Sequence, residues 1–302
     1  MNTKSKFVVV LRKINTFLAV KGFFDFLPDT VFLKMRYKLC IGRPLNLNEP
    51  KTFNEKIQWL KIYNRDPLYT VMADKVLVKK YVSDIIGEEF VIPTLGVWDS
   101  VEDIDFDSLP NQFVLKCNHD SGGLVICKDK SILDQSGAKK RLKKALRRNS
   151  YNCAREWVYK NVKRKVLAEQ YLEDHKTNEL RDYKFFTFNG KVKALFVASD
   201  RQNATRQTKF DFFDENYNRL SIVNGHPNSE QLPEKPQNFE LMKTLAEKLG
   251  AGMPHLRVDF YEVNGKVYFG ELTFYHYGGF VPFEPNKWDE VFGSWIDLKI
   301  VK

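Results

Sequence analysis

The order of apolar and polar positions predicts helices in the first part of the chain and mostly strands later. Apolar residues recur every three or four positions in the helical segments, and Thr52 and Glu55 have the spacing of a capping box at the start of one of them. Short apolar runs bounded by turn residues are typical of strands. The predicted helices are 1–45, 52–63, about 68–86, 136–161 and 238–250. The predicted strands include 113–117, 124–127 and 166–172, and the polar segment 200–236 indicates loop.

Two Asn-Gly pairs, each between apolar runs, predict β-hairpins over 182–199 and 256–275. Asn-Gly is a strong hairpin signal because both residues tolerate the positive φ angles of a tight two-residue turn. Helices followed by hairpins, without a regular strand–helix–strand succession, predict an α+β fold.

The second hairpin carries Asp259 on one arm and Glu271 on the other. Two neighbouring arms would let both carboxylates approach one Mg²⁺ ion, which prefers carboxylate and phosphate oxygens. Arg257 lies two positions before Asp259, so in a strand it points to the same face. The alternative is an edge hairpin with solvated charges, and the hairpin alone does not decide between them.

A lysine and a glycine-containing loop form a second candidate site. Lys116 lies near the end of an apolar strand and is followed by Ser121-Gly122-Gly123, after which another strand begins. Such a loop can cover phosphates with backbone N–H groups while the ammonium binds phosphate oxygens. The Walker A pattern is absent, and for this motif taken alone a simple hairpin turn is the better explanation.

Charged residues on otherwise apolar strands extend this candidate set. Glu169-Gln170-Tyr171-Leu172 can serve as a strand that binds a nucleobase edge, and Asp182 and Lys184 share one strand face. Arg201 follows the partner strand. Half-buried charges are costly unless they are paired or bind a ligand, which favours a functional interpretation.

Composition and charge narrow the possible functions. The 302 residues are 43% hydrophobic and carry a net charge of +10, which fits a globular protein with anionic partners. The four cysteines and five histidines lack the spacing of zinc ligands. Without a cleavable signal peptide or a run long enough to span a membrane, we expect reduced thiols and a cytoplasmic location.

Two basic segments suggest contact with an anionic surface. Aromatic and aliphatic residues alternate with basic residues in the first 26 residues, as in a helix lying on a membrane, although packing on the body of the protein or on a partner is the alternative. Seven of the ten residues from Lys139 to Arg148 are basic. A solvated helix face is the usual explanation of such a run, and contact with an anionic glycan or a membrane is the other. No nucleic-acid recognition module is visible.

Taken in order, these motifs resemble the ATP-grasp superfamily. The resemblance implies that Lys75, in Ala73-Asp74-Lys75, and Lys116 hold ATP phosphates under a loop of Ser121, Gly122 and Gly123. It implies further that the segment from Glu169 to Leu172 binds adenine, with Asp182 in the ATP site. Asp259, Glu271 and Thr273 would hold Mg²⁺, with two ions expected. Arg257, Arg201 and Lys184 would act in catalysis.

Several stretches narrow the resemblance to ATP-grasp proteins related to the teichuronopeptide-biosynthesis protein. They cover roughly residues 30–295 and include Lys51–Leu60, Ile92–Trp98, Phe113–His119, Asp182–Phe186 and Phe269–Phe274. Two departures are Thr273, where the superfamily often has asparagine, and Lys184, where related ligases often have arginine. The expected fold is two α+β subdomains gripping ATP, with the chain divided into a helical extension 1–50, a helical or α+β region 51–110, a small subdomain 111–175 and a C-terminal subdomain 176–302.

The implied activity is ligation of a carboxylate to an amine through an acyl phosphate. The family's association with surface polysaccharides suggests a uronic acid in a capsule or O-antigen precursor as the carboxylate, with an amino acid or amino sugar as the amine. His119, Asp120 and His276 are candidate bases, and the aromatic segment 274–280 either shapes the acceptor site or packs in the core. A glycosyltransferase, for which Asp103-Ile104-Asp105 has a suitable spelling, and a sugar kinase remain alternatives. The oligomeric state is not predicted.

Overall fold

The computed structural model describes residues 3–120, 122–175, 180–201 and 207–301. Its helices lie mainly in the first half of the chain, as the apolar spacing predicts. They are α1 (Thr3–Val20), α2 (Asp29–Ile41), α3 (Phe53–Tyr63), α4 (Leu68–Ala73), α5 (Leu77–Ile86), α6 (Gln135–Leu146), α7 (Ser150–Ala154), α8 (Phe239–Leu249) and α9 (Lys287–Trp295).

The strands form two antiparallel sheets. The small sheet has the order β1-β4-β2-β3 and contains β1 (Thr94–Trp98), β2 (Phe113–Cys117), β3 (Leu124–Cys127) and β4 (Val166–Gln170). The large sheet has the order β10-β9-β5-β6-β7-β8. Its strands are β5 (Asp182–Phe188), β6 (Lys191–Ser199), β7 (Lys209–Asp214), β8 (Arg219–Leu220), β9 (His255–Val263) and β10 (Lys266–Thr273).

Local sequence signals explain several boundaries. Thr52 and Glu55 form the expected capping box at the start of α3. Asn189-Gly190 and Asn264-Gly265 all have positive φ, which confirms both predicted hairpins. Counting outward from the second turn pairs Asp259 with Gly270, but a bulge between Phe269 and Glu271 places Glu271 opposite Asp259 instead.

Three predicted segments were wrong in detail. The helix expected over 68–86 breaks after Ala73 because the Asp74 carboxylate accepts hydrogen bonds from the N–H groups of Val76 and Leu77. The helix expected over 136–161 divides into α6 and α7. The polar segment 200–236 contains β7 and β8, and in β7 a buried aspartate, Asp211, interrupts the phenylalanines.

The core of the large sheet is aromatic. Phe53 of α3 is fully buried and packs edge-on against Phe186, Phe188 and Phe292, so its replacement by alanine is expected to cost about 3–5 kcal/mol. One face of the small sheet packs on α6 through Leu142 and Ala145.

Within the described ranges, no helix combines the length and apolarity needed to cross a bilayer.

Candidate active site

A cavity of about 240 Å³ lies between the two sheets. The side chains that face it follow the two-residue period of the strands, because Val114 and Lys116 point into it while Phe113 and Leu115 are buried in the core. The described lining residues include four cations and four carboxylates, namely Lys75, Lys116, Lys184, Arg201, Asp120, Glu169, Asp182 and Glu271. Most of the residues predicted for the site are thus brought together.

On the small-sheet side, Glu169 is held between two lysines. Its carboxylate forms an ion pair with Lys116 of the neighbouring strand and another with Lys79 of α5, at 2.8 Å. Burial alone would raise the pKa of Glu169, but the two ammonium groups hold it below its ordinary value. Lys79 was missed from the sequence, and its only signal there is its position four residues after Lys75.

Lys75 joins the glycine loop to the helical region. Its Nζ donates to the backbone oxygen of Asp120 at 3.2 Å, and its backbone N–H donates to the oxygen of Asn118 at 3.1 Å. Burial lowers the pKa of the Lys75 ammonium. Gly123 is required by close packing and not by its φ angle, since a Cβ there would lie 2.5 Å from the Cβ of Ala145. A Cβ at Gly122 would clash only with the mobile end of the Arg148 side chain, and Ser121 lies outside the described residues.

The end of β4 supplies the more apolar part of the cavity. Gln170, Tyr171 and Leu172 line it together with apolar side chains from the small sheet and from the segments before β1 and β5, namely Ile92, Val114, Leu124, Ile126 and Leu180. The N–H of Gln170 is already bonded to the Pro93 oxygen at 3.1 Å. The backbone beyond β4, at Tyr171 and Leu172, is therefore the part suited to pairing with the edge of a bound ring.

On the large-sheet side, Asp259 is buried within a cluster of charges. Its two oxygens accept from Nε and Nη2 of Arg257 at 2.7 and 2.8 Å, and Lys184 donates to it from the paired position on β5. Burial raises the pKa of Asp259, although Arg257 and Lys184 oppose the shift. Lys184 also pairs with Asp182 at 2.9 Å, and Arg201 pairs with the other Asp182 oxygen.

Glu271 is the carboxylate of this cluster that reaches the cavity. Its side chain is 37% exposed, whereas that of Asp259 is 1% exposed. Its Oε1 accepts from Arg257 Nη2 at 3.0 Å and from the Thr273 hydroxyl at 3.1 Å. Burial would raise the pKa of Glu271, but Lys184, Lys75 and Arg257 hold it well below its ordinary value, so it stays ionised at neutral pH.

These donors fit a cation that is shared with a bound ligand. Within the described part of the chain, no group of three or more His, Cys, Asp or Glu residues has the geometry of a metal site. Mg²⁺ commonly uses only one or two carboxylates and completes its shell with water and phosphate oxygens. Glu271 meets this requirement directly, whereas Asp259 can join only if Arg257 or Lys184 moves. The Thr273 hydroxyl accepts a hydrogen bond from Arg257 at 2.9 Å and donates one to Glu271. Its role as a metal ligand stays a prediction.

Each of the three candidate bases already has a partner within the protein. His276 is buried between Arg257 and Asn224 at 2.8 and 2.9 Å, and burial and the Arg257 charge lower its pKa well below the ordinary value. His119 Nε2 contacts the Arg148 oxygen at 3.1 Å. Asp120 lines the cavity and its carboxylate pairs with Arg148 at 3.3 Å. In the aromatic segment 274–280, Phe274, Tyr275, His276 and Phe280 are buried. Most of this segment therefore packs in the core and does not shape an acceptor site.

A comparison with protein families agrees with the resemblance of the sequence motifs. The family model described as TupA-like ATPgrasp matches residues 55–297. A search of curated proteins found no match. Among solved structures, the D-alanine–D-alanine ligase from Bacillus anthracis with ATP is 16% identical, with 67% of this chain and 53% of that one covered and a TM-score of 0.39.

Two further structures give similar values. The D-alanine–D-alanine ligase from Helicobacter pylori is 15% identical, with coverage of 82% and 68% and a TM-score of 0.40. The biotin carboxylase domain of the Hydrogenobacter thermophilus 2-oxoglutarate carboxylase, in complex with MgADP, ADP and bicarbonate, is 17% identical, with coverage of 67% and 40% and a TM-score of 0.37. The chain thus spans 53% of the first structure and 40% of the third.

Proposed function

Because the chain belongs to the TupA-like ATP-grasp family, we propose that it is an ATP-dependent ligase that joins a carboxylate to an amine. The predicted family and its α+β ATP-grasp fold are confirmed by this match. The observation that carries the proposal is the cavity between the sheets, where the charges of Lys184 and Lys75 help to keep the carboxylate of Glu271 ionised and Lys116 lines the same space.

The cavity residues divide into a base-binding part and a phosphate-binding part. We assign the adenine to Gln170, Tyr171 and Leu172, and the phosphates to Lys75 and Lys116 under the loop of Gly122 and Gly123. We propose two Mg²⁺ ions, which Glu271 would hold together with Asp259 and Thr273. When bound, they would neutralise the negative charge of the phosphates. The four-part domain division at residues 50, 110 and 175 remains part of the proposal.

The proposed ligation would proceed in two steps, phosphoryl transfer and then amide formation. A carboxylate oxygen of the acceptor attacks the γ-phosphorus, which releases ADP and leaves an acyl phosphate. The amine then attacks the acyl carbon, so that an amide forms while phosphate and a proton leave. Such transfers depend on positioning and charge neutralisation more than on covalent work by the protein. Arg257, Arg201 and Lys184 provide the donors for the transferring phosphoryl group and the later oxyanion.

The substrates are proposed to be a uronic acid of a capsule, O-antigen or other surface-polysaccharide precursor and an amino acid or amino sugar. The positive charge of the chain and the exposed cations of α6, among them Lys140, Arg141 and Lys144, support an anionic glycan. The proposed use of ATP supports the cytoplasm as the proposed location. The motif Asp103-Ile104-Asp105 does not support the glycosyltransferase alternative. Asp105 accepts hydrogen bonds from the N–H groups of Asp107 and Ser108 in a turn and is not among the residues that line the cavity.

Product analysis tests the proposal directly. Purified protein is incubated with ATP, Mg²⁺, a panel of uronic acids and a pool of amino acids, and ADP and amide are measured by mass spectrometry. A ligase releases ADP and forms the amide in equal amounts. A sugar kinase would phosphorylate the acceptor without an amine, and a glycosyltransferase would consume a nucleotide sugar but no ATP. Absence of ATP binding would refute the assignment.

A further inference from the structure

Large apolar side chains are exposed along α1 and the turn that follows it. Val10, Ile14 and Phe17 lie four and three residues apart, which places them on one face of the helix. Phe17 is 61% exposed, and Phe23 and Phe26 in the turn are 60% and 77% exposed. Single exposed apolar residues are ordinary on protein surfaces, but a contiguous group marks a contact surface. We call these five residues the α1 face.

The polarity of α1 is inverted relative to an ordinary surface helix. Two of its polar residues face the protein, since Arg12 Nε donates to the Leu39 oxygen at 3.1 Å and Asn15 Oδ1 accepts from Arg36 at 3.1 Å. Asn15 is buried while Ile14 is half exposed. A helix that turned its apolar stripe to the core would have the opposite arrangement. Packing on the protein body therefore does not explain the apolar residues.

The turn that carries Phe23 and Phe26 is firmly anchored. Arg155 Nη2 donates to the Phe24 oxygen at 2.6 Å, and the Asp25 carboxylate accepts from Asn152 at 2.7 Å. The ring of Phe24 packs against Phe32 with centroids 5.9 Å apart. The exposure of Phe23 and Phe26 is thus a built feature of the surface and not the result of a loosely held segment.

The charges around the α1 face complement an anionic surface. Lys13 and Lys21 are exposed on α1 and just after it. Asp25, the acid within the turn, is already bonded to Asn152 and lies 3.7 Å from Arg155. Two copies of the chain meeting through this face would bring these lysines together, whereas lipid phosphates would attract them.

We propose that the α1 face rests on an anionic lipid bilayer, with its aromatic rings in the interfacial region and the neighbouring lysines at the headgroups. This contact is peripheral and does not depend on the proposed reaction. Its consequence is that the protein partitions to anionic membranes through one defined surface, on the side formed by α1 and α2.

Vesicle sedimentation with the full chain tests this surface. Binding is measured with vesicles of phosphatidylcholine alone and with vesicles of phosphatidylcholine and phosphatidylglycerol. We expect binding only to the anionic vesicles, and at least about tenfold weaker partitioning for the variant Phe17→Ser/Phe23→Ser/Phe26→Ser, since each ring loses its apolar burial in the interface. The control is Ile132→Ser, because Ile132 is 83% exposed but lies elsewhere.

A charge-matched pair completes the design. Lys13→Gln/Lys21→Gln is expected to weaken binding more than Lys140→Gln/Lys144→Gln, which removes two exposed charges from α6. The proposal is overturned if the triple variant binds as well as the wild type, or if no anionic vesicle binds the wild type. It is also overturned if size exclusion shows a wild-type dimer that the triple variant dissociates, since the face would then join two copies.

Discussion

Arg257 donates a hydrogen bond from Nη1 to Nδ1 of His276 at 2.8 Å. Arginine has only donors, so His276 Nδ1 must be the acceptor. The proton of the imidazole ring must then lie on Nε2, which is 2.9 Å from the Asn224 oxygen. Asn224 in turn donates to the oxygens of Val281 and Pro282 at 3.3 and 3.0 Å, which fixes the orientation of its amide. His276 is therefore a neutral positioning residue for Arg257 and not a base.

Replacement of His276 separates positioning from acid–base chemistry. His276→Leu leaves Arg257 Nη1 buried without an acceptor, and we expect about 1–3 kcal/mol lower stability and a marked fall in kcat. His276→Asn places an amide oxygen near Nδ1 and should recover most of kcat. Stopped assays across pH 5–8 should show no ionisation assignable to His276. Equal loss in both variants, or a pH profile that changes in His276→Asn alone, would contradict this role.

The two carboxylates opposite each other on β9 and β10 should respond differently to neutralisation. Asp259→Asn removes the buried carboxylate that Arg257 and Lys184 share and leaves them only Glu271 and Asp182 as counter-charges, so it should destabilise the fold by about 3–5 kcal/mol, in addition to abolishing turnover. Glu271→Gln should lose at least about a hundredfold in turnover with a stability change within about 1 kcal/mol, because Glu271 reaches the cavity. Urea unfolding and ADP release measure the two effects. Near-native turnover in Glu271→Gln would exclude it as a metal ligand.

Lys79 is predicted to tune nucleotide affinity through Glu169. Without Lys79, the Glu169 carboxylate pairs with Lys116 alone and holds that ammonium away from a phosphate. We expect Lys79→Met to raise KM for ATP several-fold with little change in kcat. The matched control is Lys80→Met, since Lys80 is exposed on the same helix and pairs only locally with Asp84 at 2.9 Å. The same rise in both variants would point to a general charge effect instead.

The ion pairs of Glu169 give a pH-dependent contribution to stability. Its folded pKa lies below its unfolded value, so the stabilisation is complete above the unfolded pKa of about 4.3 and is lost as the pH falls through the folded pKa. Glu169→Gln should therefore be about 1–3 kcal/mol less stable than the wild type at pH 7. The difference should shrink as the pH falls below about 4.3. A difference that stays constant down to pH values where the wild type still folds would rule out this linkage. Denaturant unfolding at several pH values measures it.

The parts of the fold that local sequence specifies were predictable. The capping box of Thr52 and Glu55 and the Asn-Gly turns need only neighbouring residues, and both were confirmed. The strand β7 was missed because Asp211 looks like a loop residue, although in the structure its carboxylate accepts from Ser229 at 2.6 Å. That bond depends on a residue 18 positions away, which no local pattern reveals.

The candidate site shows the same limit. The residue types and the strand period indicated that Arg257 and Asp259 share a face, and they do. The bulge at Gly270, which brings Glu271 opposite Asp259, could not be counted from the turn. Lys79 and His276 owe their roles to tertiary contacts with Glu169 and Arg257, so their partners could not be identified from sequence spacing.

The balanced charges of the cavity have a consequence for how its ligands bind. A polyanion that entered alone would compete with Glu169 and Asp182 for their lysines, and a divalent cation that entered alone would compete with Arg257 for Glu271. Bound together, each ligand takes up the protein charges that the other displaces. For the proposed ligands the two affinities would be thermodynamically linked, so Mg²⁺ would tighten nucleotide binding by the same factor as nucleotide tightens Mg²⁺ binding. The site would therefore bind the polyanion and the divalent cation together more readily than it binds either one alone.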